Sequence, residues 1–120
     1  MTTQTVQQKG DEVNQCIENC LDCHRICLET VAYCLQMGGK HAEAAHIRLL
    51  LDCAEICQTS ANFMMRGSNL HGYVCGVCAV ICERCAESCE RMGDDERMRV
   101  CAQECRTCAD SCRQMAQAVA

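Results

Sequence analysis

The cysteines of this chain recur at the spacing of one face of an α-helix. There are 16 of them in 120 residues, and within each cluster successive cysteines lie three or four positions apart, with one step of seven. Residues at these intervals share the helix face that leucine normally occupies in a bundle core. The spacing therefore predicts amphipathic helices that bury thiols. The cysteines are Cys16, Cys20, Cys23, Cys27, Cys34, Cys53, Cys57, Cys75, Cys78, Cys82, Cys85, Cys89, Cys101, Cys105, Cys108 and Cys112.

Glycines divide the chain into four helical segments. Gly38-Gly39, Gly67 and Gly93 are helix-stop signals. Short connections make consecutive helices antiparallel. We therefore predict an all-α fold, an antiparallel up-down-up-down four-helix bundle with a cysteine-lined core. The predicted helices cover about 11–37, 41–66, 69–92 and 95–117, within a single metal-binding domain of residues 1–120.

The fourth helix has a clear start signal. Gly93 is followed by Asp94, a residue of N-cap type, and acidic residues occupy the first turn, where the helix dipole favours negative charge. Asp95 and Arg99 are four positions apart, so we predict an ion pair between them.

Charge and hydropathy indicate which partners and compartment to expect. The net charge is -5, and the 11 Lys and Arg residues are spread along the chain, which argues against nucleic acid as a partner. The first ten residues lack the features of a secretion signal, and no apolar stretch approaches the roughly 20 residues of a membrane span. We expect a cytoplasmic protein that does not bind membranes. In that reducing compartment, a high number of cysteines favours metal binding or redox chemistry over a disulfide scaffold.

A core of thiols is suited to a soft monovalent metal ion. Each uncompensated buried charge costs several kcal/mol, so the thiols either stay protonated or are neutralised by cations. Zinc with four private thiolates per ion would use the set for only about four ions. Cu(I) accepts low coordination by sulfur and shares bridging thiolates, so charge balance is reached near one ion per cysteine, or roughly 16 ions. We therefore expect multiple Cu(I) ions as the bound species.

Methionine and histidine extend the cysteine face at both ends of the predicted bundle. One end is predicted to collect Met37, His41, His46, Met92 and Met98 beside Cys34, and the other Met64, Met65, His71 and Met115. Thioether and imidazole bind Cu(I) more weakly than thiolate, which suits an entrance that catches an ion and passes it on. His41 and His46 are the candidate metal ligands of this mouth. Methionine is equally an ordinary filler of helix ends, so both interpretations stay open.

Two further features lie beside the cysteine face. Leu49, Ile56 and Phe63, at steps of seven, widen the apolar face of the second helix, as would suit contact with a second bundle or simply a broad core stripe. His24 lies just off the cysteine face, where we expect a packing or surface role rather than metal binding.

Other classes of protein explain the pattern less well. Cys75-Gly76-Val77-Cys78 is typical of an iron–sulfur electron carrier, but ferredoxin runs wrap their clusters with loops, whereas these cysteines keep a helical phase. A redox enzyme needs one activated thiol, and sixteen similar cysteines single out none. No catalytic triad or phosphate-binding loop is present, so we expect no enzymatic activity. The alternatives to copper binding are an iron–sulfur (ferredoxin-like) carrier and a zinc-binding or thiol redox-buffer protein.

The cysteine pattern resembles that of a known family. CxxxCxxCxxxC occurs at 16–27, 78–89 and 101–112. Through this repeat the chain is similar to the cytosolic copper storage proteins, which are cysteine-lined four-helix bundles. The resemblance extends from about Cys16 to Met115. The resemblance implies high-capacity Cu(I) storage or detoxification, with Cu(I) bound inside the bundle by all sixteen thiolates and entering at one open end. It also implies a homotetramer of bundles. A copper chaperone or a low-molecular-weight thiol is the expected exchange partner.

Overall fold

The computed structural model describes residues 6–117, with side chains from residue 10 onward. Within this range the chain forms four α-helices and one short 3₁₀ turn. The ends of the predicted domain, residues 1–5 and 118–120, lie outside the described residues, as does half of the segment searched for a secretion signal. The helices are α1 (Val6–Met37), α2 (Ala44–Met65), α3 (His71–Glu90) and α4 (Glu96–Gln117), with the 3₁₀ turn at Gly39–Ala42.

The helices form the predicted antiparallel four-helix bundle. Each helix packs against its two neighbours in the cycle α1, α2, α3, α4 and back to α1. The bundle is elongated, with principal extents of 53 × 23 × 20 Å. Its interior is lined by the cysteines, which make up most of the buried apolar residues. Across residues 6–117 no helix combines the length and apolarity needed to cross a membrane.

Two of the helices begin at other residues than the approximate predicted starts. α1 already includes Val6, because Gln7, Gln8 and Lys9 are adequate helix formers and the single Gly10 does not end the helix. α2 begins at Ala44 rather than at residue 41, because Gly38 and Gly39 take positive φ values of 70° and 56° and lead into the 3₁₀ turn. His41 therefore lies in a turn and not on the cysteine face of a helix.

The start of α4 also differs from the prediction. Asp95, not Asp94, caps the helix, since the backbone N–H of Met98 donates to Asp95 Oδ1 at 3.2 Å. The expected Asp95–Arg99 ion pair does not form. Arg99 instead contacts Glu96 and lies 3.6 Å from Asp94 Oδ1. The Asp95 carboxylate is hydrogen-bonded to one residue of α1 and one residue of the 3₁₀ turn.

Two side-chain predictions beside the core have different outcomes. The packing role of His24 is confirmed, because its Nδ1–H donates to the carbonyl oxygen of Ala54 at 2.6 Å, joining α1 to α2. Leu49, Ile56 and Phe63 are half-buried in the single chain. The contact of these three residues with a second bundle stays a prediction.

Candidate metal centre

All sixteen cysteines face the centre of the bundle. Each has no exposed surface, and each is a free thiol. Apart from one step of seven, successive cysteines of a helix lie three or four residues apart, the spacing that keeps side chains on a bundle axis. The predicted cysteine-lined core is therefore confirmed. The cysteines form one sulfur column, which we define as the sixteen Sγ atoms that run along the axis.

The centre of the sulfur column consists of two complete layers, each with one cysteine per helix. In the first, Cys57 Sγ lies 3.7 Å from Cys78 Sγ and 3.8 Å from Cys108 Sγ, which in turn lies 3.6 Å from Cys20 Sγ. In the second layer the corresponding Sγ separations are 3.6–3.8 Å. That layer consists of Cys23, Cys53, Cys82 and Cys105.

The layers on either side are incomplete because α2 contributes no thiol. Cys16, Cys75 and Cys112 form a trio whose Sγ atoms lie within 4.8 Å of one another. The α2 register continues from Cys57 to Ser60 at this level. At the other side Cys27, Cys85 and Cys101 are neighbours, and the α2 register places Leu50 there.

Two polar residues of the core were missed from the sequence. The structure buries Ser60 and Thr30 completely. Thr30 fills the single step of seven between Cys27 and Cys34, and Ser60, beside Ala61, follows Cys57 by three residues. Extending the alternating steps of three and four through positions without cysteine would have identified both residues.

The sulfur atoms form overlapping groups rather than separate sites. Four groups of four Sγ atoms and one group of three lie within 4.8 Å, and several cysteines belong to more than one group. At most two of the four-membered groups can be chosen without sharing a cysteine, for example Cys20, Cys78, Cys108, Cys112 with Cys23, Cys53, Cys57, Cys82. An ion bound anywhere in the centre therefore has neighbouring sulfurs that can bridge to a second ion.

Burial opposes ionisation of the thiols in the sulfur column. Desolvation, helped by the charges of Cys101 and Asp95, raises the pKa of Cys34 to about 11. Hydrogen bonds with Cys101 and Cys85, together with burial, raise the pKa of Cys89. A set of buried thiols cannot ionise together without positive charge among them, so cation binding and proton release are coupled in this core.

His46 lies at one end of the sulfur column, as the sequence predicted. Its Nε2 is 3.5 Å from Cys34 Sγ, and its Nδ1 is 2.7 Å from the hydroxyl oxygen of Ser88. Cys34 Sγ also lies 4.0 Å from Met98 Sδ. Burial lowers the pKa of His46, so the ring is neutral and one of its nitrogens is a lone-pair donor. This end therefore gathers thiol, imidazole and thioether sulfur within a few ångströms.

His41 occupies a different position from His46. Its Nε2 lies 2.9 Å from Asp95 Oδ2, and the hydroxyl of Tyr33 donates to the same oxygen at 2.9 Å. We call Tyr33, His41 and Asp95 the latch, because they join the end of α1, the 3₁₀ turn and the start of α4. Burial of the Asp95 carboxyl opposes ionisation, but its hydrogen bonds with His41, with Tyr33 and with backbone N–H groups of the first turn of α4 together outweigh burial and lower its pKa.

The remaining predicted end residues divide into buried and exposed sets. Met98, Met64 and Met115 are buried and Met92 is half-buried against the core, so these four close the ends of the column. Met37 and Met65 are more than half exposed and point away from it. His71 is half-buried and its Nδ1–H donates to the carbonyl oxygen of Ser68 at 2.8 Å.

Comparison with known proteins gives this arrangement a family. The profile of the copper storage protein family matches residues 9–117. The chain belongs to the copper storage protein family. The matched range includes every cysteine of the sulfur column, from Cys16 to Cys112.

Solved structures support the same membership. A protein from Nitrosospira multiformis is 50% identical, with a TM-score of 0.85 over 91% of this chain and 98% of that one. The Cu(I)-bound copper storage protein BsCsp3 is 36% identical, with a TM-score of 0.81 over 88% and 98%. A cytosolic copper storage protein from Streptomyces lividans is 30% identical, with a TM-score of 0.77 over 89% and 93%.

One curated protein is also similar over part of its length. The uncharacterized cysteine-rich protein YhjQ of Bacillus subtilis (strain 168) is 38% identical over 66 residues. That stretch spans 55% of this chain and 61% of the curated relative, so the chain matches less than two thirds of it. Membership of the copper storage protein family is thus supported over nearly the whole chain by the profile and by solved structures.

Proposed function

We propose that this protein stores Cu(I) in quantity inside its helical bundle, for supply or detoxification. The observation that carries the proposal is the sulfur column, in which sixteen buried free thiols run along one axis and their Sγ atoms form overlapping groups. Such a core can take up monovalent ions side by side, since each ion that replaces a thiol proton leaves the net charge unchanged.

The overlap of the sulfur groups favours Cu(I) over zinc. Zinc sites of four private thiolates could use only the two non-overlapping groups and would leave eight of the sixteen cysteines without metal. Cu(I) shares bridging thiolates and needs few ligands per ion, so all sixteen can be used, at roughly one ion per cysteine. An iron–sulfur cluster is also disfavoured, because Cys75 and Cys78 lie within α3 and not in a loop that could wrap around a cluster.

We infer that all sixteen cysteines are metal ligands and that ions enter at the Cys34 end. His46 supports this entrance directly, since its Nε2 faces Cys34 Sγ with Met98 nearby. His41 belongs to the same end of the bundle, but its Nε2 is held by Asp95, so while the latch is closed only its Nδ1 is available to an ion. Entry at this end would pass ions from weaker donors to thiolates.

The cellular setting follows from the same proposal. We infer a cytoplasmic protein of one domain, residues 1–120, that assembles as a homotetramer and performs no catalytic turnover. Free thiols suit a reducing compartment, and the Streptomyces lividans relative is a cytosolic storage protein. Copper would be exchanged with a chaperone or a low-molecular-weight thiol, because an incoming thiolate can replace one protein ligand at a time.

An anaerobic titration of the reduced protein with Cu(I) tests the proposal. We expect tight binding of roughly 16 ions per chain in competition with a Cu(I) chelator, from one ion per thiolate. A parallel titration with Zn(II) should saturate at a much smaller number. Saturation of Cu(I) at one or two ions, or purification of a brown iron-containing protein, would contradict storage.

A further inference from the structure

Two hydroxyl groups are buried in the core without a hydrogen-bond partner. Thr30 and Ser60 have no exposed surface, and within the part of the chain that the structure describes neither Thr30 Oγ1 nor Ser60 Oγ has a partner. Buried hydroxyls are normally paired, because removing such a group from water without a compensating bond is costly. These two groups therefore weaken the metal-free fold unless another state of the protein supplies an acceptor.

Both hydroxyls occupy positions in the cysteine register. Ser60 follows Cys57 on α2 and lies level with the trio Cys16, Cys75 and Cys112. Thr30 lies between Cys27 and Cys34 on α1. Each hydroxyl thus belongs to a level of the sulfur column that lacks its full set of thiols.

Metal loading changes the hydrogen-bonding character of the surrounding sulfur atoms. A protonated thiol is a weak acceptor, whereas a metal-bound thiolate carries negative charge and accepts a hydrogen bond more strongly. When Cu(I) displaces a thiol proton, that proton leaves to solvent and the sulfur becomes such an acceptor. The hydroxyls keep their own protons and belong to residues that occupy the cysteine register of α1 and α2.

We propose that Ser60 and Thr30 donate hydrogen bonds to copper-bound thiolates and so hold copper in the incomplete levels of the column. This inference rests on the proposed storage of Cu(I). The hydroxyls act as donors and not as ligands, because Cu(I) prefers sulfur and imidazole to a neutral oxygen. They are positioning residues of the loaded core, paired in the copper-bound state and unpaired in the metal-free state.

The variants Ser60→Ala and Thr30→Val test this inference, since each removes the hydroxyl and keeps a small buried side chain. Thr59→Val is the matched control, because Thr59 lies on the same turn as Ser60 but borders a surface groove. Loss of an outer-shell hydrogen bond typically lowers metal affinity 10–100-fold. We expect the affinity of each test variant for its weakest-bound Cu(I) ions, measured in competition with a chelator, to fall about tenfold.

The metal-free proteins provide the second readout. Removing an unpaired buried hydroxyl should leave the thermal midpoint of the metal-free variants equal to or above that of the unaltered chain, while the loaded variants release copper more readily. The number of ions bound should not change. Thr59→Val should alter neither copper retention nor the number of bound ions.

Three results would overturn the inference. Equal copper retention in the variants and the unaltered chain would remove the donor role. A fall in the thermal midpoint of the metal-free variants that accompanies the loss of copper retention would assign the hydroxyls a structural role alone. A capacity lower by one ion would make the hydroxyl a ligand. Failure of the unaltered chain to bind many Cu(I) ions would instead contradict the proposed storage function, so the two failures are distinguishable.

Discussion

Replacing Leu50 by cysteine should add one ion to the capacity of the core. Leu50 is fully buried and interrupts the sulfur column at the level of Cys27, Cys85 and Cys101. The change removes about two methylene equivalents from the metal-free core, which costs ~1.6 kcal/mol at ~0.8 kcal/mol per buried group and ~2 kcal/mol once the cavity left behind is included. For a chain of this size that loss lowers the thermal midpoint by about 8 °C. In the loaded protein the new thiolate completes the level and binds one further Cu(I).

Native mass spectrometry after anaerobic Cu(I) loading, in the presence of a competing chelator, resolves single ions and is the appropriate assay. Leu51→Cys is the matched control, because Leu51 is 45% exposed and its thiol would lie outside the column. We expect one added ion for L50C and none for L51C. Equal capacities for L50C and the unaltered chain, or the same gain for both variants, would refute the view that position in the column determines storage.

Three other predictions address the ends of the bundle and the empty scaffold. Asp95→Ala removes the N-cap of α4 and the acceptor of the latch, so it should destabilise the metal-free protein by about 2 kcal/mol, against less than about 0.5 kcal/mol for exposed Asp94→Ala. The hydrogen bonds lower the pKa of Asp95 below its ordinary value of 3.8. The difference in free energy of unfolding between the unaltered chain and D95A, measured by chemical denaturation, should therefore persist above pH 3.8 and shrink below it. Replacing His41 and His46 together by alanine should slow copper uptake in stopped-flow measurements with little loss of capacity; an unchanged rate would move the entrance to the His71 end. Circular dichroism should find the metal-free protein helical, since cysteine serves as a small apolar core residue, and an unfolded metal-free chain would remove the preformed scaffold.

The periodic parts of the molecule could be predicted from the sequence. Cysteine spacing of three and four residues determines both the helical phase and the buried face, so the bundle and the burial of all sixteen thiols followed from the same pattern. His46 also followed, because it continues the α2 register one turn beyond Leu50. These features depend only on the period of the helix and on short connections between helices.

Features at the ends depended on contacts that no local pattern contains. His41 was predicted as a helical mouth residue, but the positive φ values of Gly38 and Gly39 place it in a 3₁₀ turn, where it meets Asp95. Asp95 was expected to pair with Arg99 on its own helix. Partners from α1 and the turn occupy its carboxylate instead, and their approach depends on how the loops close the bundle.

An anomalous diffraction map at the copper absorption edge, from crystals of the Cu(I)-loaded protein, tests the central claim most directly. Cys75 to Cys89 alone spans about 21 Å along α3 at 1.5 Å per residue. We predict a row of copper peaks over at least that length, along the bundle axis and within bonding distance of the cysteine sulfurs. Copper peaks confined to the surface, or a loaded crystal with one or two isolated sites in the core, would contradict storage inside the bundle.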